Sequence, residues 1–325
     1  MKTNNPEGMS QKTGAYLVKR WLLAIILIIA VVGFGILIAI PPMILSPDIN
    51  KHVDFSKVYS GSDYDLDVQE LVLDTEDGVK ISAFEVAIDE PHGVIIFISG
   101  IHNPSVTAFL GHSKVLKEHG YASILVDLRA HGKSEGDVIG LGYTEIPDIK
   151  AVVDYIKGQR RYLDLPIVVY GVSMGGVVAI NSAGQIPEIA GVISLSAYSS
   201  WEDVFVDNMS AMGVPHFFGT IQKPFVRLYC TYKYGFKAMQ NVPKKQIGNL
   251  SERPVLLMHS LEDTQVPFHS LHRIVDNASD HVEVFVRKGD FHFISTDFMH
   301  PENDPEYLAM IVSFLDRNFG SPGDS

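Results

Sequence analysis

A single cysteine, Cys230, is all that 325 residues contain. It rules out an intrachain disulfide and a cysteine-based zinc cluster. Basic runs are also scarce: none is longer than a pair such as Lys19-Arg20 or Lys244-Lys245, in a chain whose formal net charge is −12. Binding to phosphate backbones needs a concentrated cationic surface, so nucleic acid is not expected as a partner. The chain has no internal repeat and no low-complexity segment. What is present is ordinary for a globular protein, with 46% apolar and 20% charged residues.

Another absence is local. No charged residue stands between Trp21 and Pro47, and Leu22 to Ile40 is almost wholly aliphatic. About 20 apolar residues in a helix span a bilayer core, whereas a soluble helix needs an apolar stripe only. The stretch is longer than a signal-peptide core, and Ile38-Ala39-Ile40-Pro41-Pro42 lacks the small-x-small cleavage pattern. We therefore expect a tail over 1–20, an uncleaved anchor over 21–46, a polar linker over 47–65 and a catalytic domain over 66–325. The tail has net charge +3, leaving −15 for residues 21–325. The positive-inside rule then puts the N-terminus in the cytoplasm and the domain outside.

Past the linker, apolar runs suited to strands buried on both faces alternate with helical patterns. Gly93–Ser99, Ala122–Val126, Ile167–Tyr170, Gly191–Leu195, Val255–His259 and Val282–Val286 are the strands. This order predicts an α/β fold with a mostly parallel sheet and helices on both faces. A hairpin precedes it, turning at Glu76-Asp77-Gly78. The exception is 199–250, which has no such strand and carries Trp201, Phe205, Met209, Met212, Phe217, Phe218, Phe225, Tyr229 and Phe236. An insert this long is usually functional. It reads as a helical cap whose aromatic and methionine residues pack the cap itself, a subset lining an acyl pocket.

One strand ends in Gly171-Val172-Ser173-Met174-Gly175-Gly176, followed by an apolar helix. That places a serine on a strand-to-helix turn, beside N–H groups that favour a developing negative charge. In a parallel sheet the loops after the strands gather at one edge. The loop after His259 carries Asp263 and the loop after the last strand carries His292. A serine hydroxyl needs an imidazole to take its proton, and the imidazole needs a carboxylate to fix its tautomer. Ser173, His292 and Asp263 are the candidates for nucleophile, base and orienter, with Asp203 and Asp207 in reserve for the acid.

These motifs, with Asp127-Leu128-Arg129-Ala130-His131-Gly132-Lys133-Ser134 and His259-Ser260-Leu261-Glu262-Asp263-Thr264-Gln265-Val266-Pro267, resemble the α/β-hydrolase family. The likeness is to its serine esterases, monoacylglycerol lipases and membrane-anchored relatives, and it runs from about Leu66 to the C-terminus. It departs from the family at Ser99-Gly100, where His-Gly is usual, and at Ser260, where glycine is usual. The resemblance implies oxyanion-hole N–H groups from Ile101 and Met174, a structural role for Asp127, and no metal or cofactor. It implies hydrolysis of small-molecule acyl esters by an acyl-enzyme route, with lipid esters convenient to an anchored domain. Peptidase, thioesterase and acyltransferase chemistry, or a silent membrane-tethered binding module, stay open at this stage.

Overall fold

The structure, a computed structural model, describes residues 6–102 and 104–320. The chain divides at Ser46/Pro47 into an N-terminal unit and a larger one that ends with the chain. The N-terminal unit is built on one helix, α1 (Pro6–Ile49). The helix runs beyond the expected anchor of 21–46 at both ends. Within α1, Tyr16–Ile49 contains an 18-residue window with a mean hydropathy of 3.3 and is long and apolar enough to cross a membrane.

The larger unit is an eight-stranded sheet in the order β1-β2-β4-β3-β5-β6-β7-β8. The strands are β1 (Gln69–Asp74), β2 (Lys80–Val86), β3 (Gly93–Ile98), β4 (Tyr121–Val126), β5 (Ile167–Val172), β6 (Ile189–Leu195), β7 (Val255–Ser260) and β8 (Glu283–Arg287). The hairpin β1–β2 is antiparallel, β2 pairs antiparallel with β4, and the rest are parallel. Every residue of β3, β4, β5 and β7 is buried, the physical reason these runs do not alternate. Helices α2 (Leu110–Glu118), α3 (Ile146–Gly158), α4 (Met174–Ala183), α8 (His269–Val275) and α9 (Pro305–Phe319) connect or follow the strands. Helix α4 is buried all along its length, and Tyr307, Ile311, Phe314 and Leu315 of α9 close the core.

The insert after β6 forms α5 (Trp201–Ala211), α6 (His216–Tyr234) and α7 (Pro243–Gln246). One expectation fails here. Phe205 is buried, but Met212, Phe217 and Phe236 are exposed, so they do not pack the cap. Helix α6 buries Gly219, Gln222, Val226 and Cys230, whereas its Phe217, Ile221, Leu228 and Tyr232 are exposed.

The stretch 47–65 differs from a free linker. Val53 donates its N–H to the Ala130 carbonyl at 2.8 Å and accepts from Gly132 N–H at 3.0 Å. Both ring nitrogens of His52 lie 2.9 Å from carbonyl oxygens, of Gly136 and Gly132. Backbone pairing carries this docking, and no side-chain pattern announces it.

Candidate active site

Ser173 caps α4 with φ 56° and ψ −120°, left-handed backbone that a side chain adopts only under constraint. Its N–H is held by the Leu195 carbonyl of β6 at 2.8 Å, and its carbonyl accepts from Val177 at 3.0 Å. The turn closes because its neighbours have no side chains. A Cβ on Gly171 would stand 2.1 Å from the Gly175 oxygen, and one on Gly175 would stand 2.2 Å from the Ile98 oxygen. The serine therefore projects from a rigid strand–helix junction, with Met174 N–H in the first turn, where helical N–H groups lack intrahelical acceptors.

Asp263 and His292 come together across the ends of β7 and β8. His292 Nδ1 lies 2.9 Å and 3.1 Å from the two Asp263 oxygens, and both residues are buried. Asp263 Oδ1 also accepts N–H bonds from Gln265 and Val266, each at 2.9 Å. Burial pushes the Asp263 carboxyl up, but the His292 hydrogen bond and charge outweigh it and hold the group below the usual carboxylate range. The carboxylate thus stays ionised against an imidazole whose Nδ1–H it accepts. That tautomer leaves the Nε2 lone pair free to take a proton.

Groups that the sequence reading did not single out clamp these two loops. Thr264 donates its N–H and hydroxyl to Asp290 at 3.1 and 2.9 Å, and Phe291 donates its N–H to Ser260 Oγ at 3.1 Å. Ser260 thus has a structural use where the family usually has glycine. A polar pair spaced across two loops is a sequence signal only when the pairing of β7 with β8 is already known.

Gly100, Ile101, His102, Ser173, Gln265, His292 and Phe293 line one cavity of about 130 Å³. A Cβ on Gly100 would be 3.5 Å from Ser173 Cβ, so the loop after β3 abuts the serine directly. Ile101 is fixed through its carbonyl, 2.7 Å from His131 Nε2, while His131 Nδ1 faces the Arg129 oxygen at 2.9 Å. His131 thus braces this loop. Phe55 of the docked 47–65 stretch stacks on its ring, with centroids 6.2 Å apart. His102 and Phe293 are lining residues that the sequence reading left without a role. The His102 ring is half-buried with Nε2 unpartnered among the described residues, and burial lowers its pKa.

The remaining carboxylates are engaged elsewhere. Asp203 is held by Lys223, Lys244 and Ser200, and Asp207 by both terminal nitrogens of Arg273 at 2.6 and 2.9 Å. Glu262 is exposed. Asp127 lies beneath its own loop, 3.5 Å from Lys133 N–H, and burial pushes it up to about 7. No group of three or more His, Cys, Asp or Glu residues able to hold a metal ion occurs among the described residues.

Sheet order, with the serine on a strained strand-to-helix turn, is that of the α/β-hydrolase fold, and the chain adopts that fold. Residues 89–246 match the family described as serine aminopeptidase, S33. The chain is 25% identical over 312 residues to the uncharacterized protein YqkD of Bacillus subtilis, covering 92% of this chain and 98% of that one. Among solved structures it is similar to the Pyrococcus furiosus esterase Pf2001, with a TM-score of 0.64 and 23% identity over 84% of this chain and 98% of that chain. It is also similar to Est1E of Butyrivibrio proteoclasticus, solved with ferulic acid bound, with a TM-score of 0.58 and 20% identity over 77% of this chain and all of that one.

Proposed function

We propose that the chain is a membrane-anchored serine hydrolase of carboxylic esters. The observation that carries the reading is the meeting, on one small cavity, of a strained serine and a histidine already bonded to a buried carboxylate. In this reading His292 Nε2 takes the Ser173 proton as Oγ attacks the ester carbonyl. The negative charge on the carbonyl oxygen is met by the N–H groups of Ile101 and Met174. Collapse of the intermediate expels the alcohol, which takes the proton from His292. Water repeats the cycle on the acyl-enzyme and releases the acid. Asp263 keeps the imidazole in the reactive tautomer throughout.

The test is Ser173→Ala. The native chain hydrolyses short p-nitrophenyl esters and reacts with a fluorophosphonate, and the variant does neither. A native chain inert to both refutes the reading.

The family description favours a second reading, hydrolysis of aminoacyl amides. An aminopeptidase must hold an α-ammonium group, and no described residue lining the cavity is anionic. Esters are therefore the preferred substrates, and hydrolysis of amino-acid p-nitroanilides faster than of matched esters reverses that order. For the anchor, the charge pattern supports a cytoplasmic N-terminus with the domain outside. Protease access to the domain in intact cells checks it.

A further inference from the structure

In a chain of net charge −12, residues 208–251 contain no aspartate or glutamate, yet carry Lys223, Arg227, Lys233, Lys237, Lys244 and Lys245. Three of these are paired with two carboxylates of α5, Asp203 with Lys223 and Lys244 and Glu202 with Arg227. Lys233 and Lys237 have no carboxylate within salt-bridge distance among the described residues, and Lys245 meets only the Gln240 side chain, at 3.0 Å.

The same segment exposes apolar side chains in register. Phe217, Ile221, Leu228 and Tyr232 recur at helical spacing along the outer face of α6, and Phe236 follows its C-terminus. They are 46–86% exposed, Tyr232 the most. Pro224 lies on this face too, between Ile221 and Leu228. The inner face is spent on burial, so the stripe is not core left half-covered. An exposed apolar stripe on a helix whose charged residues are all cations, Lys223, Arg227 and Lys233, is the composition of a helix that lies in a lipid headgroup layer.

The geometry points to α6 as a second membrane contact, seating the cap on an anionic bilayer surface. This rests on the anchor reading in one respect. The last residue of α1, Ile49, already accepts the Ile139 N–H of the domain at 2.8 Å, so a spanning α1 leads into the domain without a free linker. So tethered, the apolar stripe and its free lysines meet lipid at high local concentration.

The experiment uses the full chain reconstituted in vesicles of phosphatidylglycerol and phosphatidylcholine, with and without doxyl-labelled lipid. A fluorophore is attached through Tyr232→Cys, with Asp154→Cys on exposed α3 as control. Cys230 is fully buried and does not compete for label. Doxyl lipid is expected to quench the label at 232 and not the one at 154. Lys233→Glu with Lys237→Glu should lower the docked population on anionic vesicles, about fivefold per lysine at low salt. Leu228→Asp should abolish quenching while hydrolysis of a soluble ester is kept. Equal quenching at both sites, or quenching that ignores Leu228→Asp, overturns the proposal. So does concentration-dependent cross-linking between 232 positions without lipid quenching, which assigns the stripe to a second copy of the chain. Resistance of the chain to carbonate extraction reads the anchor separately, so failure of the anchor and failure of the docking are told apart.

Discussion

Replacing Gly175 by alanine tests whether the serine turn sets the geometry of the whole site. The new Cβ would sit 2.2 Å from the Ile98 oxygen and 2.4 Å from the Ser99 oxygen. Carbon and oxygen approach to about 3.3 Å even in close Cα–H···O contacts, so α4 and the end of β3 must separate by about 1 Å. Both neighbours are backbone atoms and cannot swing aside. Overpacking of this kind costs about 1–3 kcal/mol. The displaced parts are the ones the proposed reaction uses: Ser173 and Met174 N–H on one side, Gly100 and Ile101 on the other. A misplacement near 1 Å costs on the order of 10²-fold in rate. Gly158→Ala is the matched control, since nothing stands within 4 Å of its Cβ position. It should leave kcat/KM unchanged and stability within about 1 kcal/mol. The assay is kcat/KM on a p-nitrophenyl ester beside the urea midpoint of each variant. The reasoning is refuted if Gly175→Ala loses activity only in proportion to the fraction unfolded.

Asp263→Asn should keep the fold and lower kcat by about 10⁴-fold, because an amide cannot fix the reactive tautomer; fluorophosphonate labelling rates report it. Asp127 gives a pH signature. Burial raises its folded pKa to about 7, so between roughly pH 4 and 7 the native state keeps a proton that the unfolded chain releases. Its contribution is full below the unfolded value and is lost as pH rises through 7. Melting temperatures from pH 5 to 8 should therefore fall further in the native chain than in Asp127→Asn, and parallel profiles would contradict this. Arg129 bonds Asp77 on the hairpin turn and the fully buried Asp148. Arg129→Ala leaves that carboxylate unpaired and should cost about 3–5 kcal/mol in urea unfolding. Cys230, buried and with its thiol pushed up to about 12 by burial and by Glu202, should resist iodoacetamide until the chain is unfolded.

How much of this was legible in the sequence depends on what each part is made of. Strands β3 to β7 announce themselves because burial on both faces demands unbroken apolar runs. Ser173 is legible because its turn needs Gly171 and Gly175, and small residues at fixed spacing are a local code. Asp263 and His292 follow once the strands are ordered, since each lies in the loop after a recognised strand. The cap is different. Its helices are visible, but which apolar residues face inward depends on how α6 lies on α5. Phe217 and Phe218 read alike in sequence, whereas the structure leaves Phe217 exposed and Phe218 partly buried.

The docking of 47–65 is hidden in the sequence for a stronger reason. Its docking rests on Val53 exchanging backbone hydrogen bonds with Ala130 and Gly132, and backbone groups are the same for nearly every residue. The side chains that assist, His52 and Phe55, sit among Asp48, Lys51, Asp54, Ser56 and Lys57, and the mixture reads as polar linker. Yet these contacts converge on His131, which in turn holds the Ile101 carbonyl beside Ser173. The piece of chain that looks most like a spacer is therefore packed directly behind the loop on which the oxyanion reading depends. Linker and site have to be considered as one packed structure, and only the fold brings them together.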